Sequence, residues 1–422
     1  MTAENDYPPP GSTTGGFLAG LALLVALGLN LRPLLAAASP LMEEIRLATG
    51  LGYAVLAWLT TLPFLCMGGV ALASGRLQAW LGQQRGIALA LAAIGAACAL
   101  RQASGSGATL LATALLGGVG IALIQALVPG LVKHRFGRRM PLAMGVYSAA
   151  LMSGGGLAAW ASPWLAQAGG WRLGVGIWWV PALITLVAWW WVSRRRGAPE
   201  PAWVALAGPR PWRLPRAWLL ALYFGVINAG YSSVVTWLPV YYRELGWSAP
   251  SSGLLLAWMT VFQVIAALAM PALAQRQARP DRRRLLATSL MAQLIGYLGW
   301  ILWPGSGAAL WVAFAGFGLG ACFSLGLILA LDHLSDPRAA GRLAAFMQGV
   351  GFMINALSPW ISGALREATG DFLAAWMLLA LGVAAMLLIT LRFDPRGYPR
   401  AMAASPVSAR SGASARSGAG RR

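Results

Sequence analysis

Apolar positions in this chain follow neither the alternation of a half-buried strand nor the spaced stripe of an amphipathic helix. They gather in long unbroken runs. A run of about 20 apolar residues is the length of a helix that crosses a bilayer. Twelve such runs are legible, near 17–37, 53–73, 86–103, 108–132, 141–166, 171–192, 217–238, 252–275, 285–303, 307–331, 343–365 and 372–391. Only Ser104–Gly107 joins the third to the fourth, and only Pro304–Ser306 joins the ninth to the tenth. Such short connections suit antiparallel neighbours. The pattern predicts an all-α membrane protein of twelve transmembrane helices.

Composition agrees. Hydrophobic residues make up 58% of the 422 and charged residues 10%, against about 25% charged in a soluble domain. A disordered chain, a disulfide scaffold and a coiled coil are excluded on the same grounds. The net charge of +20 would suggest nucleic acid if the basic residues formed one face, but they sit in short loops. One set of gaps holds Arg76, Arg85, Lys133, Arg135, Arg138, Arg139, Arg194–Arg196, Arg210, Arg213, Arg216, Arg276, Arg279, Arg282–Arg284, Arg338, Arg342 and seven arginines after residue 391. The alternate gaps hold only Arg46, Arg101, Arg172, Arg243 and Arg366. By the positive-inside rule both termini are expected in the cytoplasm of a multi-pass inner-membrane protein. Cys66, Cys98 and Cys322 lie inside apolar runs and read as small packing residues. Residues 1–16 lack the cationic start of a signal peptide, so the first run is expected to persist as a helix.

An Arg-, Pro- and Gly-rich segment at 193–216 divides the chain into halves of nearly equal length, 17–192 and 217–391. Arg138-Arg-Met-Pro-Leu-Ala-Met-Gly145-Val146 echoes Arg342-Leu-Ala-Ala-Phe-Met-Gln-Gly349-Val350, and Ser162-Pro163-Trp164 echoes Ser358-Pro359-Trp360. Both echoes fall at the fifth span of their half. Six spans per half give a parallel repeat. The expected organisation is a cytoplasmic tail at 1–16, two six-helix bundles joined by a cytoplasmic linker, and a disordered basic cytoplasmic tail at 392–422.

Two six-helix halves with a basic linker resemble the major facilitator superfamily. Its loop between spans 2 and 3 is matched by the glycines and leucine of Gly75-Arg76-Leu77-Gln78-Ala79-Trp80-Leu81-Gly82-Gln83-Gln84-Arg85, with Ala79 where an Asp is usual. Gly28-Leu-Asn-Leu-Arg-Pro33, Leu59-Thr-Thr-Leu-Pro63, Leu127-Val-Pro-Gly-Leu-Val-Lys133, Thr236-Trp-Leu-Pro-Val-Tyr241 and Met347-Gln-Gly-Val-Gly-Phe352 resemble the cyanate/2-nitroimidazole transporter family. The resemblance implies import or export of a small molecule by rocking of the halves. It also implies that spans 1, 4, 7 and 10 line the cavity, with 2, 5, 8 and 11 flanking it.

Arg32 is the most informative position, since a cation within a span costs roughly 2.5–3.5 kcal/mol on insertion scales. Two roles are open to it. Its planar donor fork suits an anionic or strongly dipolar solute. Alternatively it caps helix-end carbonyls or snorkels outward. Pro33 removes an N–H next to it and loosens the helix. Asn30 is a candidate beside it. Asn228, Tyr231 and Ser232 share a face of span 7, as Gln348 and Asn355 do in span 11, and Gln125 and Tyr147 add polar groups in spans 4 and 5. Each is open to a role as a bridge between helices instead. Trp58 and Trp237 could stack on a planar ligand. Gln263 and Gln293 rank lower, as bracing or lipid-facing residues. Gly117, Gly118, Gly120 and Gly154–Gly156 allow close helix approach, and Pro129, Pro163, Pro239 and Pro359 mark kinks or ends.

No P-loop is present, so this chain alone is no ATP-driven pump. Glu43 and Glu44 are expected outside span 1, and Asp332 at an inner mouth. His134 and His333 sit at loop edges without metal-site spacing, and read as solvated or lipid-facing. The sequence therefore predicts a secondary transporter rather than an enzyme, for a small anionic or polar organic solute. The second reading is an exporter of lipophilic drugs or toxic aromatic compounds. No cofactor, metal or nucleic acid is expected. The expected partners are a small-molecule substrate, the lipid bilayer and, if transport is coupled, protons, around a monomer.

Overall fold

The computed structural model describes residues 14–136, 139–194, 211–277, 281–334 and 336–402. Among them every regular element is helical. The first half holds α1 (Thr14–Leu29), α2 (Pro33–Ala36), α3 (Met42–Thr49), α4 (Tyr53–Leu56), α5 (Trp58–Leu81), α6 (Gln83–Gln102), α7 (Gly107–Phe136), α8 (Met140–Gly176) and α9 (Trp179–Arg194). The second holds α10 (Pro215–Glu244), α11 (Ala249–Arg276), α12 (Arg283–Leu302), α13 (Ala308–Asp332), α14 (Pro337–Thr369), α15 (Leu373–Thr390) and the short α16 (Tyr398–Met402).

Ten segments are by length and apolarity alone able to cross a membrane. The other two expected spans are present as α9, which is short, and α14, which carries polar residues along 33 positions. The all-α fold is therefore consistent with twelve spans. Leu381, Leu388 and Trp190 are among the large apolar side chains facing outward, as a lipid solvent requires.

Several expected boundaries shift for local reasons. The first span is not one helix over 17–37. Pro33 has no N–H for the carbonyl four residues back and its ring crowds it, and α1 ends at that residue, Leu29. The span continues through α2 and a single 3-10 turn, Ser39–Leu41, into α3, so Glu43 and Glu44 lie within this extended first span. Spans 5 and 6 are split by Gly169 and Gly170, the latter with φ 77°. That conformation favours glycine. Pro129, Pro163, Pro239 and Pro359 all lie inside helices, and α10 runs on past Pro239 to Glu244. The tail is structured as far as Met402, with Phe393 and Tyr398 buried. The expectations for 1–13, most of the linker and 403–422 lie outside the described residues. So do the side chains of much of the 75–79 loop and of His134 and Lys133.

The halves meet along two helix pairs, α5 with α14 and α8 with α11. Glycines bring them together. A methyl group at Gly68 would stand 2.8 Å from the Gly349 carbonyl, and one at Gly156 would stand 2.9 Å from Thr260 Cβ. Gly117, Gly118 and Gly120 instead pack α7 within its own half, Gly118 against Pro63.

At the end remote from the termini the halves are joined by polar groups. Ser39 Oγ donates to the Thr236 carbonyl at 2.8 Å, and the Thr60 and Thr236 hydroxyls are 2.8 Å apart. Arg243 reaches the Pro40 carbonyl and the Glu44 carboxylate, and the Ala54 N–H donates to Glu367. Toward the termini the contacts across the halves include apolar ones, with Leu72 over Gly349 and Leu268 over Gly145.

Candidate functional site

Between these two ends lies a cavity lined by side chains of both halves: Arg32, Phe64, Leu151 and Met152 from the first, Asn228, Tyr231, Gln263, Leu319, Phe323, Phe352 and Asn355 from the second. It leaves about 30 Å³ for the centre of a water-sized sphere, room for about two or three waters.

Arg32 sits where the first span breaks, as the residue before α2. Its own carbonyl accepts from the N–H groups of Leu35 and Ala36, both at 3.0 Å. The side chain is 5% exposed. Its guanidinium carbon lies 5.0 Å from the Tyr231 ring centre and 5.6 Å from that of Phe64, within cation–π range. Gly155 faces it closely, since a methyl group there would stand 3.1 Å from Arg32 Cβ. Nε and Nη1 are buried with no acceptor in the protein. Neither snorkelling nor carbonyl capping describes this side chain.

The carbonyl-capping role belongs to a different arginine. Arg101, expected in an outer loop, is 1% exposed. It donates through Nη1 to the Leu34 carbonyl at 2.5 Å and through Nε to Thr113 Oγ1 at 3.0 Å. It thereby satisfies a carbonyl freed by the short α2. Its position near the end of an apolar run gave no sign of this, because the partner carbonyl is free only where α2 stops at Ala36.

The other predicted residues divide. Asn228, Tyr231 and Asn355 line the cavity. Asn228 Nδ2 donates to the Phe224 carbonyl at 2.7 Å, and Asn355 Oδ1 accepts from Ser232 Oγ at 2.6 Å, which leaves the Asn355 amide N–H groups to the cavity. Tyr147 lies on the α8 face that carries Leu151 and Gly155, buried, with a hydroxyl that finds no partner. It is one turn outside the lining.

The remaining candidates are turned elsewhere. Asn30 donates to the Ala26 carbonyl and to Thr185 Oγ1 of α9, so it bridges helices. Trp237 is fully buried, with Nε1 donating to the Pro359 carbonyl at 2.8 Å and its ring against Tyr53 and Phe372. Trp58, Gln125 and Gln348 are half-buried and do not line the cavity. Gln125 lies seven residues beyond Gly118, on the face α7 turns to α5, so α7 contributes nothing to the lining.

Sequence reasoning set Gln263 aside, yet it lines the cavity and is 3% exposed. A lone amide in the otherwise apolar run of span 8 was the available signal. Gln293 does brace, donating to the Ile227 carbonyl and Tyr297. His333 is neither solvated nor lipid-facing. It stacks on Tyr398 at 3.8 Å, its Nδ1 donates to the Leu329 carbonyl, and its Nε2 accepts from Arg216 Nε at 3.1 Å. Burial pushes its pKa down to about 4 despite the Leu329 bond, and Arg216 pushes the same way.

The cavity thus presents N–H donors from Arg32, Gln263 and Asn355 and a phenol from Tyr231, in walls otherwise mostly of Phe, Leu and Met. No carboxylate lines it. Such a site attracts a compact anion and gives its oxygen or nitrogen lone pairs charge-assisted hydrogen bonds.

Comparison with known proteins fits this geometry. A sequence profile of the Major Facilitator Superfamily matches residues 17–359. The chain is 46% identical to the cyanate transport protein CynX of Escherichia coli over 90% of this chain and 98% of that protein. It is 28% identical to the 2-nitroimidazole transporter of the same organism over 87% of this chain and 92% of that one. Among solved structures, a D-xylose-proton symporter superposes with a TM-score of 0.73 at 14% identity, over 90% of this chain and 98% of that one, a likeness of fold alone.

Proposed function

The chain belongs to the Major Facilitator Superfamily, and from that premise we propose that it is a secondary transporter of a small monovalent anion of the cyanate class. The observation that carries this reading is Arg32, a buried cation with two N–H groups unclaimed by the protein, at a cavity between the halves. The 46% identity to a cyanate transport protein supports the substrate class. So does the cavity size, which suits an anion of a few atoms.

Transport proceeds by alternating access. The substrate binds Arg32, with Asn355, Gln263 and Tyr231 completing its coordination. The halves then rock on the glycine contacts of α5 with α14 and α8 with α11. Binding favours a conformation only by contacts that differ between states, and closing the cavity around an anion creates them. The segregation of basic residues supports an orientation with both termini in the cytoplasm, which puts the polar latch at Arg243 and Glu44 on the outside.

A second reading is export of lipophilic aromatic compounds. The rings of Phe64, Tyr231, Phe323 and Phe352 around the cavity favour it. Thermal unfolding of the purified protein separates the two. A ligand that binds the folded state raises the transition temperature. The anion reading expects a rise with cyanate, nitrate or formate that vanishes in Arg32→Ala. A rise only with neutral nitroimidazoles or lipophilic drugs, retained in the variant, would replace it with the exporter.

A further inference from the structure

A carrier must return after each delivery, and the same cavity closes on the way back. The charge in that cavity decides what it returns with. Arg32 is the charged residue of the lining; the residue is 5% exposed, and its Nε and Nη1 are unpartnered. The chain has twelve Asp and Glu. Nine are described, and all lie toward the ends of the bundle: Glu43, Glu44, Glu244, Glu367 and Asp371 at the latch end, Asp281, Asp332, Asp336 and Asp394 at the end of the termini. Glu4, Asp6 and Glu200 fall outside the apolar runs. None of the described carboxylates lines the cavity or pairs with Arg32, so none of them neutralises it or brings it a coupling proton.

A closed cavity holding a monovalent anion is therefore neutral, whereas one that closes without an anion encloses an uncompensated cation in apolar walls. Desolvation opposes the second state strongly. The faces of Phe64 and Tyr231 offset part of that penalty, but they do so equally in both forms and leave the difference standing.

We propose that this protein is an obligatory anion exchanger: each inward passage of one small monovalent anion is matched by outward passage of another, because the binding site crosses readily only when Arg32 is neutralised. The counter-anion belongs to the class that fits beside one guanidinium in a cavity of this size, a linear or planar ion of three or four heavy atoms. The inference rests on the reading of Arg32 as an anion site.

The test uses the full-length protein in liposomes with the membrane potential clamped at zero. One population is loaded with gluconate, an anion too bulky for the cavity, and the other with cyanate or formate. Initial uptake of labelled cyanate is measured, beside the cyanate-induced thermal shift of the same preparation. Exchange expects uptake into the cyanate- or formate-loaded vesicles to exceed that into gluconate-loaded vesicles by more than an order of magnitude. Equal uptake in both populations, with the thermal shift present, would overturn exchange and leave the anion carrier standing as a uniporter. Equal uptake that rises with external acidity would overturn it in favour of proton coupling. No uptake in either population and no thermal shift would remove exchange together with anion carriage.

Discussion

Arg32 and Arg101 are both arginines in apolar surroundings, and the structure gives them opposite employment. Arg101 has its Nε and Nη1 bonded inside its own half, so removing it leaves the buried Leu34 carbonyl without this partner and takes a donor from Thr113. Arg101→Met is expected to destabilise the protein by about 1–3 kcal/mol, the cost of orphaned buried polar groups, read as a lowered unfolding temperature in detergent. The Arg32 side chain binds none of its neighbours by hydrogen bonds. Arg32→Ala is expected to leave that temperature unchanged or higher without ligand. Its anion affinity is expected to fall roughly ten- to a hundredfold, the worth of a charge-assisted bond. Arg32→Lys keeps the charge but loses the planar fork, and should recover about half of that loss on a free-energy scale. Thermal shift titrations with cyanate measure both. That Arg32 would be buried was legible in the sequence as a cation within an apolar run. Its partners were only partly legible. The i, i+3 relation of Asn228 and Tyr231 correctly put them on one face, but nothing local says that Asn30, two residues from Arg32, turns instead to Thr185. After a helix break the angular rule that relates neighbouring side chains no longer applies.

At the scale of elements, what the chain does best is announce its helices, because lipid demands long apolar runs and leaves little else to choose. What it conceals is which face of a run meets which neighbour. Gly154, Gly155 and Gly156 look alike in sequence, yet they meet Leu29, Arg32 and Thr260 respectively. A methyl group at Gly155 would crowd Arg32 Cβ, whereas one at Gly156 would crowd the opposite half. Gly155→Val is accordingly expected to weaken cyanate binding, and Gly156→Val to slow transport while sparing affinity for cyanate. Paired thermal-shift and vesicle uptake measurements separate the two. The folded tail was likewise hidden, since its burial depends on His333 and Phe393 meeting across elements far apart in sequence. The neutral His333 ring there makes stability depend on pH. Its folded pKa of about 4 lies below the ordinary 6.5, so the unfolded chain binds the extra proton first. Stability should fall as pH drops from about 6.5 toward 4. Melting curves across that window should flatten in His333→Asn.

For the whole molecule, equal halves and a basic linker conveyed the architecture, while the cavity emerged only from the packing of one half on the other. Gln263 shows why. A single amide in an apolar run is ambiguous until the opposite half supplies a cavity for it to face. The end remote from the termini is held in part by charge. Arg243 and Glu44 form an ion pair across the halves there, with side chains 24% and 38% exposed. A pair this exposed contributes roughly 0.2–1 kcal/mol, so Glu44→Gln should shift the balance toward opening on that side by up to about fivefold. Thr61 is fully buried beside Thr60 of the polar latch, and labelling of Thr61→Cys by an external thiol reagent, in a background lacking Cys66, Cys98 and Cys322, would report the opening.

The ionic clasp has a consequence in the surrounding medium. Dissolved electrolyte screens charges over about 10 Å at 0.1 M and about 3 Å at 1 M, but barely loosens a leucine lying on a glycine. Electrolyte on that side of the molecule therefore loosens the ionic clasp. In the orientation proposed above, saltier surroundings favour the form open to the outside, with no signal passing through the cell.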